Sequence, residues 1–107
     1  MFDTLKSLLG FGTKQDFAVL VNNGAVILDV RSAMEFASGH IKNAINIPVE
    51  NLSSNLSKLP SKNKTIITCC ASGMRSGMAK NILTKNGYTN VFNVGGWTSL
   101  NSKILNN

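Results

Sequence analysis

The stretch TIITCCASGMRS, residues 65–76, joins an apolar run to a short loop and then to a helical pattern. The continuous run at 65–70 is typical of a strand that is buried on both faces, as strands of parallel sheets are. A helical pattern begins at about Arg75 and ends at an Asn-Gly stop. The stretch therefore predicts a strand, a loop and a helix, with Cys70 at the carboxyl end of the strand.

The same alternation extends over the rest of the chain. Strand patterns also occur at 25–30, 44–49 and 90–94. Helical patterns occur at 16–24, at 32–40 with a Ser32–Glu35 capping box, and at 51–59, and the segment at 95–105 begins with a tight turn and ends helical. Alternating strands and helices predict an α/β fold of three layers, α/β/α, with parallel strands and right-handed crossovers. In such sheets ligands bind beyond the carboxyl ends of the strands, which is where Cys70 is predicted to lie.

Composition limits the class of protein. A chain of 107 residues is the size of one domain. Its only two cysteines, Cys69 and Cys70, are adjacent and cannot close a useful disulfide loop, so we expect a reducing, cytoplasmic location. The net charge is +6, but the lysines are scattered and are not interleaved with aromatic residues. We therefore expect no nucleic-acid partner and a positive field that attracts small anions.

The first residues form a separate segment. Phe2, Leu5, Leu8 and Leu9 have helical spacing, so residues 1–12 are predicted to be an amphipathic N-terminal extension of a single domain at 13–107. The segment lacks the uninterrupted apolar core of a signal peptide. No apolar run is long enough for a transmembrane helix, so we expect no stable membrane insertion.

The loop after Cys70 has the composition of an anion-binding nest. The backbone N–H groups of four residues can turn inward at the positive end of the following helix: Ala71, Ser72, Gly73 and Met74. These amides, the helix dipole and Arg75 would favour a Cys70 thiolate, which makes Cys70 a candidate nucleophile. Strand alternation turns Cys69 to the opposite face, where a structural role is expected.

Three motifs resemble those of the rhodanese-homology domain family. Residues 70–76 resemble its active-site loop, and LDVRSAMEFASGHIKNAINIP at 28–48 resembles its upstream signature. NVFNVGGW at 90–97 resembles the closing strand and double glycine. The resemblance covers residues 13 to 105. Asn43 stands where the family commonly has glycine, and asparagine tolerates left-handed backbone angles.

The resemblance implies a rhodanese-like fold with a five-stranded parallel sheet and a sulfurtransferase activity. Cys70 would take a sulfur atom from a small anionic donor such as thiosulfate, and pass it from a persulfide to cyanide, a thiol or a protein acceptor. Residues 71–75 would form the cradle for the anion. The resemblance implies no metal and no organic cofactor.

Four further residues are expected to be structural and near the site: Asp29, Arg31, Glu35 and His40. The first three could form an ion-pair network at the end of the strand at 25–30, from which Arg31 could reach a bound anion. His40 is the only histidine and a conceivable base for Cys70. A thiol in an amide nest needs no base, so a structural role is favoured for His40.

Two other functions fit the same residues. A phosphatase or arsenate reductase also uses a cysteine, a loop and an arginine, but the interval between Cys70 and Arg75 is one residue shorter than in tyrosine phosphatases. The loop also lacks an acidic residue to protonate a leaving group. The second alternative is a persulfide carrier or binding module without turnover, which would have the same residues.

Overall fold

A computed structural model of the protein describes residues 16–105. Its four strands are β1 (Val26–Asp29), β2 (Ile45–Asn46), β3 (Ile66–Cys70) and β4 (Val91–Gly96). Its four α-helices are α1 (Phe17–Asn22), α2 (Ala33–Ala37), α3 (Met74–Lys85) and α4 (Trp97–Leu105). The predicted extension at 1–12 lies outside the described residues.

The strands form one parallel sheet in the order β2-β1-β3-β4. The fold class is therefore the predicted α/β class, but the count of five strands is wrong for residues 16–105. This part of the chain contains four β-branched apolar runs, and each one supplies one of the four strands. The chain runs from β1 outward to β2 and then returns to β3 on the other side of β1, so the order reverses between β1 and β3.

Helices pack on both faces of the sheet, as predicted. One apolar cluster contains Cys70 of β3 together with Ala79 and Leu83 of α3. The other contains Cys69 of β3 together with Leu100 of α4, and α1 packs against it. The two cysteines therefore lie on opposite faces of the sheet, because successive side chains of a strand alternate in direction.

The predicted helix at 51–59 is wrong. The chain forms two short 3₁₀ helices instead, Val49–Asn51 and Leu56–Lys58. Between them, the Ser54 hydroxyl and the Asn55 side-chain amide both donate hydrogen bonds to the carbonyl oxygen of Asn51. Short polar side chains that bond to nearby backbone groups compete with α-helix formation, which explains why leucine spacing alone misled the prediction.

The end of β4 approaches the loop after β3 closely. An irregularity in the β3–β4 register places Cys69 opposite Gly95, and the backbone of Gly95 has a φ of +81°. A Cβ atom on Gly95 would lie 3.6 Å from the Cα atom of Gly73. On the adjacent Gly96, a Cβ atom would lie 3.4 Å from the carbonyl oxygen of Ala71. The end of β4 thus packs against the loop, and the left-handed φ of Gly95 is the feature there that favours glycine.

Within residues 16–105, no helix has both the length and the apolar character needed to cross a lipid bilayer.

The backbone of Gly95 yields a test by substitution. Gly95→Ala should lower the free energy of unfolding by about 1 to 2 kcal/mol, because an L side chain is strained at a left-handed φ. Gly77→Ala is the matched control, since Gly77 lies inside α3 and a Cβ there would make an ordinary contact of 3.5 Å with Asn93. That variant should gain about 0.5 to 1 kcal/mol. Urea unfolding measures both, and equal effects would contradict this account of Gly95.

Candidate active site

Cys70 lies at the point where the strand order reverses. It is the last residue of β3, and β3 lies beside β1 in the middle of the sheet. The carboxyl ends of these two strands, with the segments that follow them, therefore meet at one edge. Open parallel sheets commonly bind ligands at such a position. The sequence-based expectation for the location of Cys70 is met.

Two residues, one in the loop and one in helix α3, are hydrogen-bonded to the Cys70 sulfur. The Gly73 N–H donates a hydrogen bond to Sγ at 2.9 Å. The Cys70 thiol and the Ser76 hydroxyl are also hydrogen-bonded, with Sγ and Oγ 3.4 Å apart. Gly73 is the N-cap of α3 and has a φ of +114°, a left-handed conformation suited to glycine. The sulfur thus sits under the amide groups that begin the helix.

These donors make the thiol more acidic. Burial by itself would raise the pKa of Cys70, which is only 1% exposed. The Ser76 hydroxyl and the backbone N–H groups of Ser76, Gly73 and Ser72 outweigh burial, so the pKa of Cys70 lies below its ordinary value. A hydrogen bond donated to the charged form favours that form. Neutral donors therefore favour the thiolate at this position.

Cys69 has the opposite environment. It is fully buried in the apolar cluster on the other face of the sheet. Burial and, next, the negative charge of Asp29 raise the pKa of Cys69 to about 12. The two adjacent cysteines thus differ in acidity because β3 turns them toward different surroundings.

The guanidinium group of Arg75 is bound to a carboxylate. Its Nη1 and Nη2 atoms donate to the two carboxylate oxygens of Glu35 at 2.7 and 3.0 Å. Glu35 also completes the predicted capping box of α2, since its Oε1 accepts the Ser32 N–H at 2.9 Å. The bonds from Arg75 and then from Ser32 lower the pKa of Glu35 to about 2. Arg75 thus joins α3 to α2, and Glu35 balances its positive charge.

Arg31 holds together the chain around this edge of the sheet. Its Nε and Nη2 atoms bond to both carboxylate oxygens of Asp29, and Nη2 also bonds to the Gly39 carbonyl oxygen at 2.7 Å. Its Nη1 atom bonds to the Glu35 carbonyl oxygen at 3.3 Å. The guanidinium carbon lies 4.6 Å from the centre of the Trp97 ring. The Arg31 side chain is 5% exposed, and each of its three nitrogen atoms donates a hydrogen bond within the protein.

His40 is exposed and packs against Phe36 of α2. Its ring is stacked on Phe36 with the ring centres 3.7 Å apart, and its Nδ1 atom is 2.7 Å from the Phe36 carbonyl oxygen. The structural role expected for His40 stays a prediction. Within residues 16–105, no three His, Cys, Asp or Glu side chains come together as they would around a metal ion.

The predicted loop residues differ in exposure. Ala71, Ser72 and Met74 are exposed, whereas Gly73 is partly buried next to the sulfur. Ser76 was not among the predicted site residues, although its hydroxyl is bonded to Sγ. Its position offered a signal, because the third residue of a helix is the one that can reach back to a group at the N-terminus.

Comparison with known proteins identifies the family. The sequence profile described as "Rhodanese-like domain" matches residues 13–103. The chain belongs to the rhodanese-like domain family. This rhodanese-like domain is 40% identical over 70 residues to the thiosulfate sulfurtransferase PspE of Escherichia coli (strain K12), an overlap of 64% of this chain and 67% of PspE.

Two further similarities show how the family varies. The human single-domain sulfurtransferase TSTD1 superposes with a TM-score of 0.69 at 29% identity, over 81% of this rhodanese-like domain and 89% of the human chain. A tRNA uridine(34) hydroxylase of Buchnera aphidicola subsp. Baizongia pistaciae is 32% identical over 83 residues, which are 73% of this chain and 27% of that protein. The family therefore includes both small single domains and parts of larger proteins.

The difference between the two cysteines is open to a labelling test. Iodoacetamide should modify Cys70 with a pH inflection below about 8.5, the ordinary value for a thiol, because the thiolate is the reacting form. Cys69 should resist modification while the protein stays folded. Peptide mass spectrometry after timed labelling locates the modified residue, and denatured protein provides the control in which both cysteines react. Preferential labelling of Cys69 in the folded protein would overturn the assignment.

The Arg75–Glu35 contact predicts a dependence of stability on pH. A carboxyl group whose pKa is lower in the folded state stabilises the fold above its unfolded pKa, and this contribution is lost as pH falls through the folded value. For Glu35 the window runs from about 4.5 down to about 2. As the pH falls through this window, the free energy of unfolding should therefore decrease less in Glu35→Gln than in the natural protein, as measured by urea unfolding. An identical acid dependence in the two proteins would show that the contact contributes nothing.

Proposed function

We propose that this rhodanese-like domain is a sulfurtransferase that carries sulfur on Cys70. The observation that carries the proposal is the Cys70 sulfur under the N-terminus of α3, where Gly73 donates to it at 2.9 Å and hydrogen bonds favour the thiolate. A thiolate is the nucleophile that attacks sulfur–sulfur bonds. The sulfurtransferase names of PspE and TSTD1 support the same chemistry.

In the first half-reaction, the Cys70 thiolate attacks the outer sulfur of a donor such as thiosulfate. A bond forms between Sγ and that sulfur, the sulfur–sulfur bond of the donor breaks, and sulfite leaves with the electron pair. The product is a persulfide whose negative charge lies on the outer sulfur. The inward N–H groups of the loop, with the positive end of α3, are suited to this charge.

In the second half-reaction, an acceptor removes the outer sulfur. Cyanide or a thiolate attacks that atom, the bond to Sγ breaks, and Cys70 returns to a thiolate. The acceptor in the cell is proposed to be a thiol, free or on a protein. The reaction splits one transfer into two displacements at the same cysteine, which is covalent catalysis. Cys70 is the only residue that has to form a covalent bond.

The contacts of Arg75 bear on the phosphatase alternative. A phosphatase loop of this type uses its arginine to hold phosphate, but both Nη atoms of Arg75 donate to Glu35 here. An arginine paired in this way is a supporting residue of the loop. The carrier alternative uses the same first half-reaction and differs only in whether the persulfide turns over.

Intact mass spectrometry after mixing with thiosulfate tests the proposal. The natural protein should gain the mass of one sulfur atom and lose it again when cyanide is added. Cys70→Ser should gain none, because a hydroxyl cannot form a persulfide. Cys69→Ser is the matched control and should still gain and lose the sulfur, since Cys69 is buried on the opposite face.

The outcomes separate the alternatives. Repeated turnover to thiocyanate indicates an enzyme, and loading without turnover in the presence of cyanide and thiol acceptors indicates a carrier. Absence of any mass gain in the natural protein, with thiosulfate and with a low-molecular-weight persulfide as donors, would refute a sulfur-carrying role for Cys70.

A further inference from the structure

Ser76 lies between two atoms that compete for its proton. It is fully buried, its Oγ atom is 3.4 Å from the Cys70 sulfur, and its hydroxyl donates to the Gly73 carbonyl oxygen at 3.1 Å. A hydroxyl carries one proton and can donate one hydrogen bond at a time. When Cys70 is a neutral thiol, its S–H can donate to Oγ while the hydroxyl donates to Gly73. When Cys70 is a thiolate, the hydroxyl has a charged acceptor within reach.

The surroundings allow this proton to move without a change in the backbone. The Ser76 carbonyl oxygen accepts a hydrogen bond from the Thr68 hydroxyl at 3.1 Å, which ties the first turn of α3 to β3. The Gly73 carbonyl oxygen also accepts the Gly77 N–H at 3.1 Å, so it keeps a partner when the hydroxyl turns away. Rotation about one bond of the Ser76 side chain therefore moves its hydroxyl proton from the Gly73 carbonyl oxygen, a neutral acceptor, to the charged Cys70 sulfur.

We propose that Ser76 is a catalytic residue whose hydroxyl donates to Sγ as the persulfide is discharged. The inference rests on the sulfur transfer proposed above. In the persulfide, the negative charge is on the outer sulfur and Sγ is a weak, uncharged acceptor, so the hydroxyl donates to Gly73. As the acceptor bonds to the outer sulfur, the S–S bond breaks and its electron pair goes to Sγ. The hydroxyl then turns to the sulfur on which charge is appearing.

Such a bond affects the two half-reactions differently. A donor that strengthens only as charge develops stabilises the transition state more than the ground state, so it accelerates discharge. In loading, the thiolate must give up the same bond before it attacks, and a less stabilised thiolate is the stronger nucleophile. Ser76 therefore accelerates discharge, in which Sγ is the leaving group. When Cys70 is fully ionised, it slows loading, in which Sγ is the nucleophile.

Ser76→Ala tests this asymmetry. Loading with thiosulfate and discharge of the loaded protein by cyanide are followed separately by quenched-flow mass spectrometry, at a pH where Cys70 is fully ionised in both proteins. Discharge should be about tenfold slower in the variant, because a bond to a charged group is lost, and loading should be unchanged or faster. The pH inflection of Cys70 alkylation should rise by about one unit.

Ser76→Thr is the matched variant, because it keeps the hydroxyl and should restore both the discharge rate and the inflection. Thermal unfolding of each variant checks that the buried position tolerates the change. Equal slowing of loading and discharge in Ser76→Ala would assign Ser76 a merely structural role, and unchanged discharge would overturn the inference. Either result is obtained only if the natural protein loads and discharges sulfur. If the proposed function is wrong, the natural protein takes up no sulfur, so the two failures are distinguishable.

Discussion

The edge of the sheet that carries Cys70 is held together by the buried guanidinium group of Arg31. It bonds to Asp29 at the end of β1 and to the carbonyl oxygens of Glu35 and Gly39, and it lies over the ring of Trp97 at the start of α4. Removing one partner of a buried ion pair leaves an uncompensated charge and costs about 3 to 5 kcal/mol. One side chain thus joins the stretch at 29–39 to the start of α4, two segments that are distant in sequence. Both lie next to β3, since Asp29 pairs with Cys69 and Gly96, the residue before Trp97, pairs with Cys70.

A second ion pair links this framework to the reactive thiol. Glu35, whose carbonyl oxygen is bound by Arg31, uses its carboxylate to bind Arg75 at the beginning of α3. The next residue, Ser76, contacts the Cys70 sulfur. The positive charge of Arg75 is therefore paired with Glu35, and the groups that do most to lower the pKa of Cys70 are neutral donors. Such donors are fixed in place before a substrate arrives, so little reorganisation is needed when charge appears on sulfur.

The loop after β3 packs against the backbone of β4. Gly73 and Gly95 pack against each other, and a Cβ on either residue would make an ordinary contact, within 3.6 Å, with the other residue's Cα atom. Both glycines have left-handed φ angles, and it is this backbone conformation that favours glycine at each position. The N–H of Gly73 points at the Cys70 sulfur because the loop is held in this conformation. The geometry of the thiol thus depends partly on β4, a strand that contributes no side chain to it.

Local patterns in the sequence were enough to predict the α/β class, the end of β3 at Cys70, the capping box of Ser32 and Glu35 and the opposite directions of Cys69 and Cys70. Each of these follows from neighbours along the chain, where strand and helix periodicity act. Leucine spacing wrongly predicted a helix at 51–59, because polar side chains there form hydrogen bonds with the backbone. Only the tertiary structure paired Arg75 with Glu35, placed Gly95 against Gly73 and put the Ser76 hydroxyl beside the sulfur, since these contacts depend on how the loop and helices pack around the sheet.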